Sequence, residues 1–386
     1  MDKTGSSYAL HVESTNTDIS GLAVTDDFKP LNESQWVVTG CGKVGFVYLG
    51  GIYDSINKII HLCNEKKAAE RQREWERKKA EHDREVAKIK ARRKAFKLGL
   101  THYKSNKKEA AKWFRKAAEQ GQMQAQFLLG TMYYDGSGVP KNQKEAFKWF
   151  RKAAEQEEVN AQFKLGTMYD EGKGVSRNKK EAAKWFRKAA EQGNADAQFK
   201  LAAMYINGSG VPENKKEAAK WFRKAAEQGD VGAQYILGEM YSNGKGVSKN
   251  KKEAAKWFRK AAEQGLARAQ FELGVMYVNG SGVPENKGEA AKWFRKAAEQ
   301  GHVMAQYILG LMYSKGRGVS KNKKEAFKWF RKAAEQGDAD AQFELGVMYI
   351  AGSGVPKNKK EATKWFRKAA KQGHADAQAK LRDINN

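Results

Sequence analysis

Residues 161–196 read AQFKLGTMYDEGKGVSRNKKEAAKWFRKAAEQGNAD, and this stretch decides the fold. Apolar or small residues at Ala161, Leu165, Met168 and Tyr169 lie on one stripe of a helix. Gly172 follows the stripe and supplies the left-handed residue that stops it. Asn178 then starts a second helix, with Glu181 three residues on, which spells a capping box. Ala182, Trp185, Phe186 and Ala189 fall on one side of this helix, and Lys180, Lys184, Arg187 and Glu191 on the other. The spacing predicts a helix hairpin joined by a loop of roughly eight residues. Gly166 lies inside the first helix, where Gly costs about 1 kcal/mol relative to Ala. A small residue there implies that another helix backbone passes close by.

The hairpin recurs. Trp113, Trp149, Trp185, Trp221, Trp257, Trp293, Trp329 and Trp365 are spaced by 36 residues, and an Asn-x-x-Glu pair precedes each, from Asn106/Glu109 to Asn358/Glu361. A fixed period of this length marks an array in which each unit buries its apolar face against its neighbours. Full units begin at Ala125, Ala161, Ala197, Ala233, Ala269, Ala305 and Ala341. A shortened unit precedes them, and a partial helix from Ala377 to about Arg382 caps the end. The loops also alternate between Gly-Ser-Gly-Val-Pro and Gly-Lys/Arg-Gly-Val-Ser, so Pro140, Pro212, Pro284 and Pro356 are 72 residues apart. The array reads as grown by copying pairs of units.

The pattern Ala-Gln-x-x-Leu-Gly-x-Met-Tyr-x-x-Gly-x-Gly-Val, followed by Lys-Glu-Ala-x-Lys-Trp-Phe-x-Lys-Ala-Ala, resembles the Sel1-like repeat, a relative of the tetratricopeptide repeat. The resemblance covers about residues 95–385. It implies an all-α fold, a right-handed α/α superhelix of 36-residue hairpins, and a role as a scaffold or adaptor of protein complexes. Some bacterial relatives carry a cysteine pair in each repeat; this chain has none in its repeats, so functions of that branch do not transfer.

Four segments are expected: an acidic, disordered tail (1–35), a glycine-rich apolar segment (36–64), a charged helix (65–94) and the array (95–386). The tail holds six acids against two lysines and no usable period. For Trp36 to Leu62 three readings stand: a small packed element, a membrane helix or hairpin, or a partner-binding segment. The apolar run from Val37 to Tyr53 falls short of the roughly 20 residues a spanning helix needs. A membrane anchor through residues 37–62 would leave the array in the cytoplasm, because the flanks are acidic before and basic after. Without it, the polar first 20 residues carry no signal-peptide pattern, and the expected compartment is also the cytoplasm. In the charged helix, Trp75, His82, Val86, Ile89 and Phe96 fit a weak heptad seam.

The net charge is +27, which suits anionic partners, nucleic acid among them, although a solenoid also needs a charged exterior. Lys107, Lys108, Lys251, Lys252, Lys323 and Lys324 sit at helix N-termini, where the helix dipole disfavours cations. They form a candidate basic ridge. Cys41 and Cys63 are the only cysteines, so there is no disulfide framework. Gly40-Cys41-Gly42-Lys43-Val44-Gly45 spells G-x-G-x-x-G, but a charged helix follows rather than a βαβ unit, and no sheet is expected. Val44 after Lys43 also breaks a Walker A motif. The six histidines are scattered, and no nucleophile–base arrangement stands out. The expectation is a non-enzyme with no cofactor and no metal, of undetermined oligomeric state.

Function should lie where the copies differ. On the first helix one varying position runs Leu128, Lys164, Lys200, Ile236, Glu272, Ile308, Glu344. A second runs Thr131, Thr167, Ala203, Glu239, Val275, Leu311, Val347, and a third Tyr134, Asp170, Ile206, Ser242, Val278, Ser314, Ile350. A fourth directly follows the third. The spacing i, i+3, i+6, i+7 places them on one face. By resemblance this face lines the concave side. Aliphatic residues there suit a bound protein or peptide, and a row of exposed aromatics for stacking bases is not expected.

Overall fold

The computed structural model describes residues 36–38, 44–46 and 52–385. The acidic tail lies outside the described residues, as does much of the apolar run from Val37 to Tyr53. The chain divides into two compact units, Met1–Arg93 and Lys94–Asn386. In the first, β1 (Trp36–Val38) pairs antiparallel with β2 (Val44–Phe46), Trp36 opposite Phe46. The expectation of no sheet at the G-x-G-x-x-G stretch is therefore corrected. The described strands form a two-stranded antiparallel ribbon, whereas a dinucleotide site needs parallel strands joined through a helix.

Helix α1 (Ile52–His102) begins inside the expected 36–64 segment and runs past Lys94. The boundaries at 64/65 and 94/95 are thus changes of composition, not ends of an element. Between Glu65 and Arg93 almost every side chain is exposed, as expected for a solvated charged helix, and Trp75 is 55% exposed.

In the second unit, α2 (Lys107–Glu119) completes the shortened repeat with the end of α1. Seven hairpins follow: α3 (Met123–Asp135) with α4 (Gln143–Glu155), α5 (Val159–Glu171) with α6 (Lys179–Glu191), α7 (Ala195–Asn207) with α8 (Lys215–Glu227), and α9 (Val231–Asn243) with α10 (Lys251–Glu263). The series continues with α11 (Ala267–Asn279) and α12 (Lys287–Glu299), α13 (Val303–Lys315) and α14 (Lys323–Glu335), and α15 (Ala339–Ala351) and α16 (Lys359–Lys371). The cap, α17 (Ala375–Asn385), is longer at both ends than its sequence suggests. Each helix packs mainly on its predecessor and successor in the chain, the contact pattern of an α/α solenoid.

The core is the same in every unit. Phe150, Phe186, Phe222, Phe258, Phe294, Phe330 and Phe366 are buried, with Leu, Met and Ala from both helices around them. Each such Leu, Met or Phe contributes about 1.5–3 kcal/mol by leaving water. The tryptophans are more peripheral. Trp149, Trp257, Trp329 and Trp365 are buried, Trp113, Trp185, Trp221 and Trp293 half-buried, and a lysine three residues on lies over each of these rings, as Lys224 does 4.3 Å from Trp221.

Gly166 has a different cause from the one expected. A Cβ there would lie 2.8 Å from the ring of Phe186 in its own hairpin, so the close neighbour is an aromatic side chain rather than a backbone. Ala202 shows how the array meets that constraint once. Its Phe222 stands at 74° to Phe199, whereas the equivalent rings in Gly-containing units meet at 43–51°.

Two hydrogen-bond ladders hold successive units in register. Gln234 is 4% exposed, donates to the Ala226 carbonyl at 3.1 Å and accepts from Gln264 at 2.9 Å. Its copies from Gln126 to Gln342 do the same, so each amide of this ladder is both donor and acceptor. The second ladder runs from Arg187 to the Tyr205 hydroxyl at 2.5 Å and from Arg259 to Tyr277 at 2.6 Å. Where Phe147 and Phe327 replace the usual Ala, the Phe packs edge-on against Tyr169 or Tyr349. The displaced Arg151 or Arg331 binds Glu155 or Glu335 instead, at 2.8 Å.

Candidate interaction face

The first helix of each full unit starts at a residue whose backbone is extended and, in most units, whose side chain caps it. Asp230 accepts from Ala233 N–H at 2.6 Å and Asp338 from Ala341 N–H at 2.7 Å. It ends at a left-handed glycine, such as Gly172 at φ +75°, bonded to the Met168 carbonyl. The second helix starts at Asn178, whose side chain accepts from Glu181 N–H at 3.1 Å. Only half of the capping box forms. The Asn178 N–H goes to the Tyr169 carbonyl at 2.8 Å, which leaves Glu181 to pair with Lys184 at 2.5 Å. These caps fix the rotation of both helices in every unit, and so fix which residues face outward.

The varying positions fall on the first helices with unequal exposure. Leu128, Thr131, Lys164, Ile236, Glu272, Val275, Val278, Ile308, Leu311, Glu344 and Val347 are half-buried on α3, α5, α9, α11, α13 and α15, and Lys200, Glu239 and Ile350 on α7, α9 and α15 are exposed. Neighbouring first helices reach one another across this face: Lys164 Nζ lies 5.8 Å over the Tyr134 ring. Burial, with Glu239 second, raises the Glu272 carboxyl above the ordinary range. Burial likewise raises Glu344, against the opposing pull of Lys315 and Lys323. Tyr235 and Tyr307 are pushed up to about 12, first by burial and then by the carboxylates Glu239 and Asp340 respectively.

The basic ridge does not behave as one feature. Lys108, Lys252 and Lys324 are exposed, as is Lys107. Lys251 and Lys323 are half-buried and turn toward the first helices, donating to Ser242 at 2.8 Å and Ser314 at 3.0 Å; Lys179 binds Asp170 in the same way. In the intervening units the third position is Ile206 or Val278, and Lys215 and Lys287 pair with loop residues Glu213 and Glu285 at 2.9 and 3.0 Å. The 72-residue period thus has a physical content: aliphatic and lysine-bridged sites alternate along the face.

Two sets of residues on this face escaped the sequence reading. Phe127, Phe163, Phe199, Tyr235, Phe271, Tyr307 and Phe343 form a regular half-buried aromatic row, one side packed on the core Phe of its own hairpin. Their near-invariance reads as core, which hid their outer edges. A further varying position, Gln124, Asn160, Asp196, Gly232, Arg268, Met304, Asp340, lies four residues before the first one and was the signal available. Met304 is 44% and Ile350 42% exposed, which extends the aliphatic stripe to both ends of the face. Gly232 uncovers Phe199 and leaves a shallow depression of about 350 Å³ lined by Phe163, Asp196, Phe199, Lys200, Asp230 and Gly232. No cluster of three or more metal-ligating side chains occurs among the described residues, and none of their helices is long and apolar enough to cross a membrane.

The Sel1 repeat model matches eight consecutive segments: residues 94–122, 124–158, 159–194, 195–230, 231–266, 267–302, 303–338 and 339–374. Among curated proteins none matches this chain. A solved structure of c5321, a protective antigen of uropathogenic Escherichia coli with an SLR fold, is similar at 40% identity and a TM-score of 0.72. That similarity covers 79% of this chain and 66% of the E. coli chain, just under two thirds of its length. A Sel1 repeat protein from Oxalobacter formigenes is similar at 37% identity and a TM-score of 0.59, over 76% of this chain and 86% of that one. Proteins of this repeat class generally act as non-enzymatic scaffolds for protein interaction. With eight matched repeats filling the residues from 94 to 374, this chain belongs to the Sel1 repeat family.

Proposed function

We propose that this chain is a scaffold that binds a partner protein or peptide along the first-helix face of its array. One observation carries the reading: in the aliphatic stripe, Val275, Val278, Ile308, Leu311 and Val347 are only half-buried, and Met304 and Ile350 are 44% and 42% exposed. Drift at unconstrained surface positions favours polar residues, whereas aliphatic residues grouped on one face mark interaction surfaces. The second helices present a nearly constant Lys/Arg/Glu exterior that keeps the array soluble and tunes association.

The test is affinity capture of the tagged full-length protein from its native cell, with nuclease treatment and a 0.5 M salt wash. The Debye length is then roughly 4 Å. A discrete protein should survive both treatments and be released by V275D, L311D and V347D. Loss of all bound material to nuclease or salt would instead assign the binding to the exposed lysines and to nucleic acid.

A further inference from the structure

We infer that the C-terminal half of this face takes an extended partner segment with apolar side chains and two basic residues spaced to meet Glu272 and Glu344. The inference rests on the scaffold reading above and adds the chemistry of the partner.

Along the first varying position the residues run Ile236, Glu272, Ile308, Glu344, so carboxylates alternate with aliphatic side chains. Both glutamates are half-buried, and neither makes a hydrogen bond or ion pair among the described residues. Most other helix glutamates have a partner: Glu289 holds Lys292 and Glu325 holds Lys328, each at 2.6 Å. Of the lysines that attract Glu272 and Glu344, Lys251 donates to Ser242 and Lys323 to Ser314, while Lys315 stays exposed. The attraction of Lys251 for Glu272, and of Lys315 and Lys323 for Glu344, falls short of replacing the hydration that burial removes. The raised pKa of both groups records that cost. An arriving guanidinium or ammonium would offset it, while neighbouring Leu311 and Val347 cover the ligand's apolar residues.

The charge of the whole chain sharpens the argument. At +27 the protein repels a basic segment at long range. Any gain in affinity from basic residues must therefore come from local carboxylates. The N-terminal half carries Lys164 and Lys200 at the same position, which confines basic ligand residues to the C-terminal half. Packed helices lie about 10 Å apart, and at that spacing Glu272 and Glu344, two units apart, would stand about 20 Å from each other. An extended chain spans that in about six residues.

The probes are fluorescein-labelled peptides of roughly 12 residues, long enough to span both carboxylates when extended. Two Arg lie six residues apart with Leu and Val between them, and matched peptides carry Gln or Glu in place of both Arg. Fluorescence anisotropy with the full-length protein should give at least roughly tenfold tighter binding of the Arg peptide than of either control. The E272Q/E344Q variant, with an unchanged helical circular dichroism spectrum, should erase that difference. Equal or tighter binding of the Gln or Glu peptide overturns the inference, as does Arg-peptide affinity unchanged in E272Q/E344Q, or no binding by any peptide. If the Gln peptide binds as tightly as the Arg peptide and V275D/L311D releases it, the scaffold reading stands while the charge inference falls. Peptide binding indifferent to V275D/L311D removes both.

Discussion

Replacing Glu157 by glycine should stabilise the array. At the end of each second helix from α2 to α16 the chain turns through a left-handed residue, and in seven units this is Gly121, Gly193, Gly229, Gly265, Gly301, Gly337 or Gly373. In the eighth it is Glu157 at φ +68°, the only non-glycine with positive φ among the described residues. The left-handed conformation costs an L-residue roughly 1–2 kcal/mol. Glycine avoids that but loses about 0.5–1 kcal/mol more backbone entropy on folding. The difference leaves E157G more stable by about 1 kcal/mol. The surroundings do not alter the sign, because a Cβ at Gly193 would meet nothing within 4 Å. For the same reason G193A should cost only about 1 kcal/mol of backbone strain. Gly174, at φ +73°, is different: a Cβ there would collide with the Gln143 carbonyl of the preceding unit. G174A should therefore add an overpacking cost of about 1–3 kcal/mol to the strain. Urea denaturation gives the three values, and hydrogen exchange in α4 and α5 shows whether the E157G gain is local. An E157G protein no more stable than the parent, or G193A and G174A of equal cost, would refute the reasoning.

Three further outcomes follow from the same geometry. Q234L should cost about 1–2 kcal/mol in urea, since it removes two hydrogen bonds from a buried amide ladder; a neutral result would make the ladder incidental. His302 caps α13 by accepting from Ala305 N–H at Nδ1, stacks 4.6 Å over Phe271, and has a pKa lowered first by burial and then by Arg268. A base with a depressed folded pKa binds fewer protons folded than unfolded. Its contribution is therefore complete above the ordinary 6.5 and is lost as pH falls below it toward the folded value. Faster amide exchange at the start of α13 below that pH, abolished in H302D, is the expected signature. Replacing Phe327 by Ala should return Arg331 from Glu335 to the Tyr349 hydroxyl, as in units that carry Ala, and a crystal structure of the variant would show which acceptor it takes.

Most of the array was legible because a repeat carries its own controls. Positions that pack are the same in every copy, and the hairpins, their caps and the varying face follow from that contrast. What stayed hidden depends on contacts between residues that never change. The glycine within the first helix is kept by a phenyl ring of its own hairpin, and a spacing rule cannot tell a ring from a backbone. The aromatic row is nearly constant for the same packing reason, so comparison of copies marks it as core while its outer edge stays half-buried on the first-helix face. The fate of the helix-terminal lysines was equally illegible. Whether Lys251 or Lys215 turns inward is set by whether the third varying position offers a hydroxyl, as Ser242 does, or an aliphatic group, as Ile206 does.

Under the scaffold function proposed above, that coupling would let the face hold a partner in one register. A single 36-residue unit copied unchanged would present one kind of site along the whole array, and a partner could slide by one unit at no cost. The paired unit prevents this. Ile206, Val278 and Ile350 alternate with the lysine-bridged Asp170, Ser242 and Ser314, so a one-unit slip sets apolar groups of a partner against ammonium–carboxylate or ammonium–hydroxyl pairs. Burying such a pair under an apolar group leaves its hydrogen-bonding capacity unmet, at about 1–3 kcal/mol for each. A two-unit slip would go unpunished by that alternation alone. The first varying position resists it where the two halves meet, since Lys200 and Glu272, two units apart, carry opposite charge. Register along a repetitive surface is therefore set by two superimposed patterns, one of period 72 residues and one that changes along the array. Swapping Lys200 and Glu272 would keep composition and net charge constant and should loosen partner register without unfolding the array.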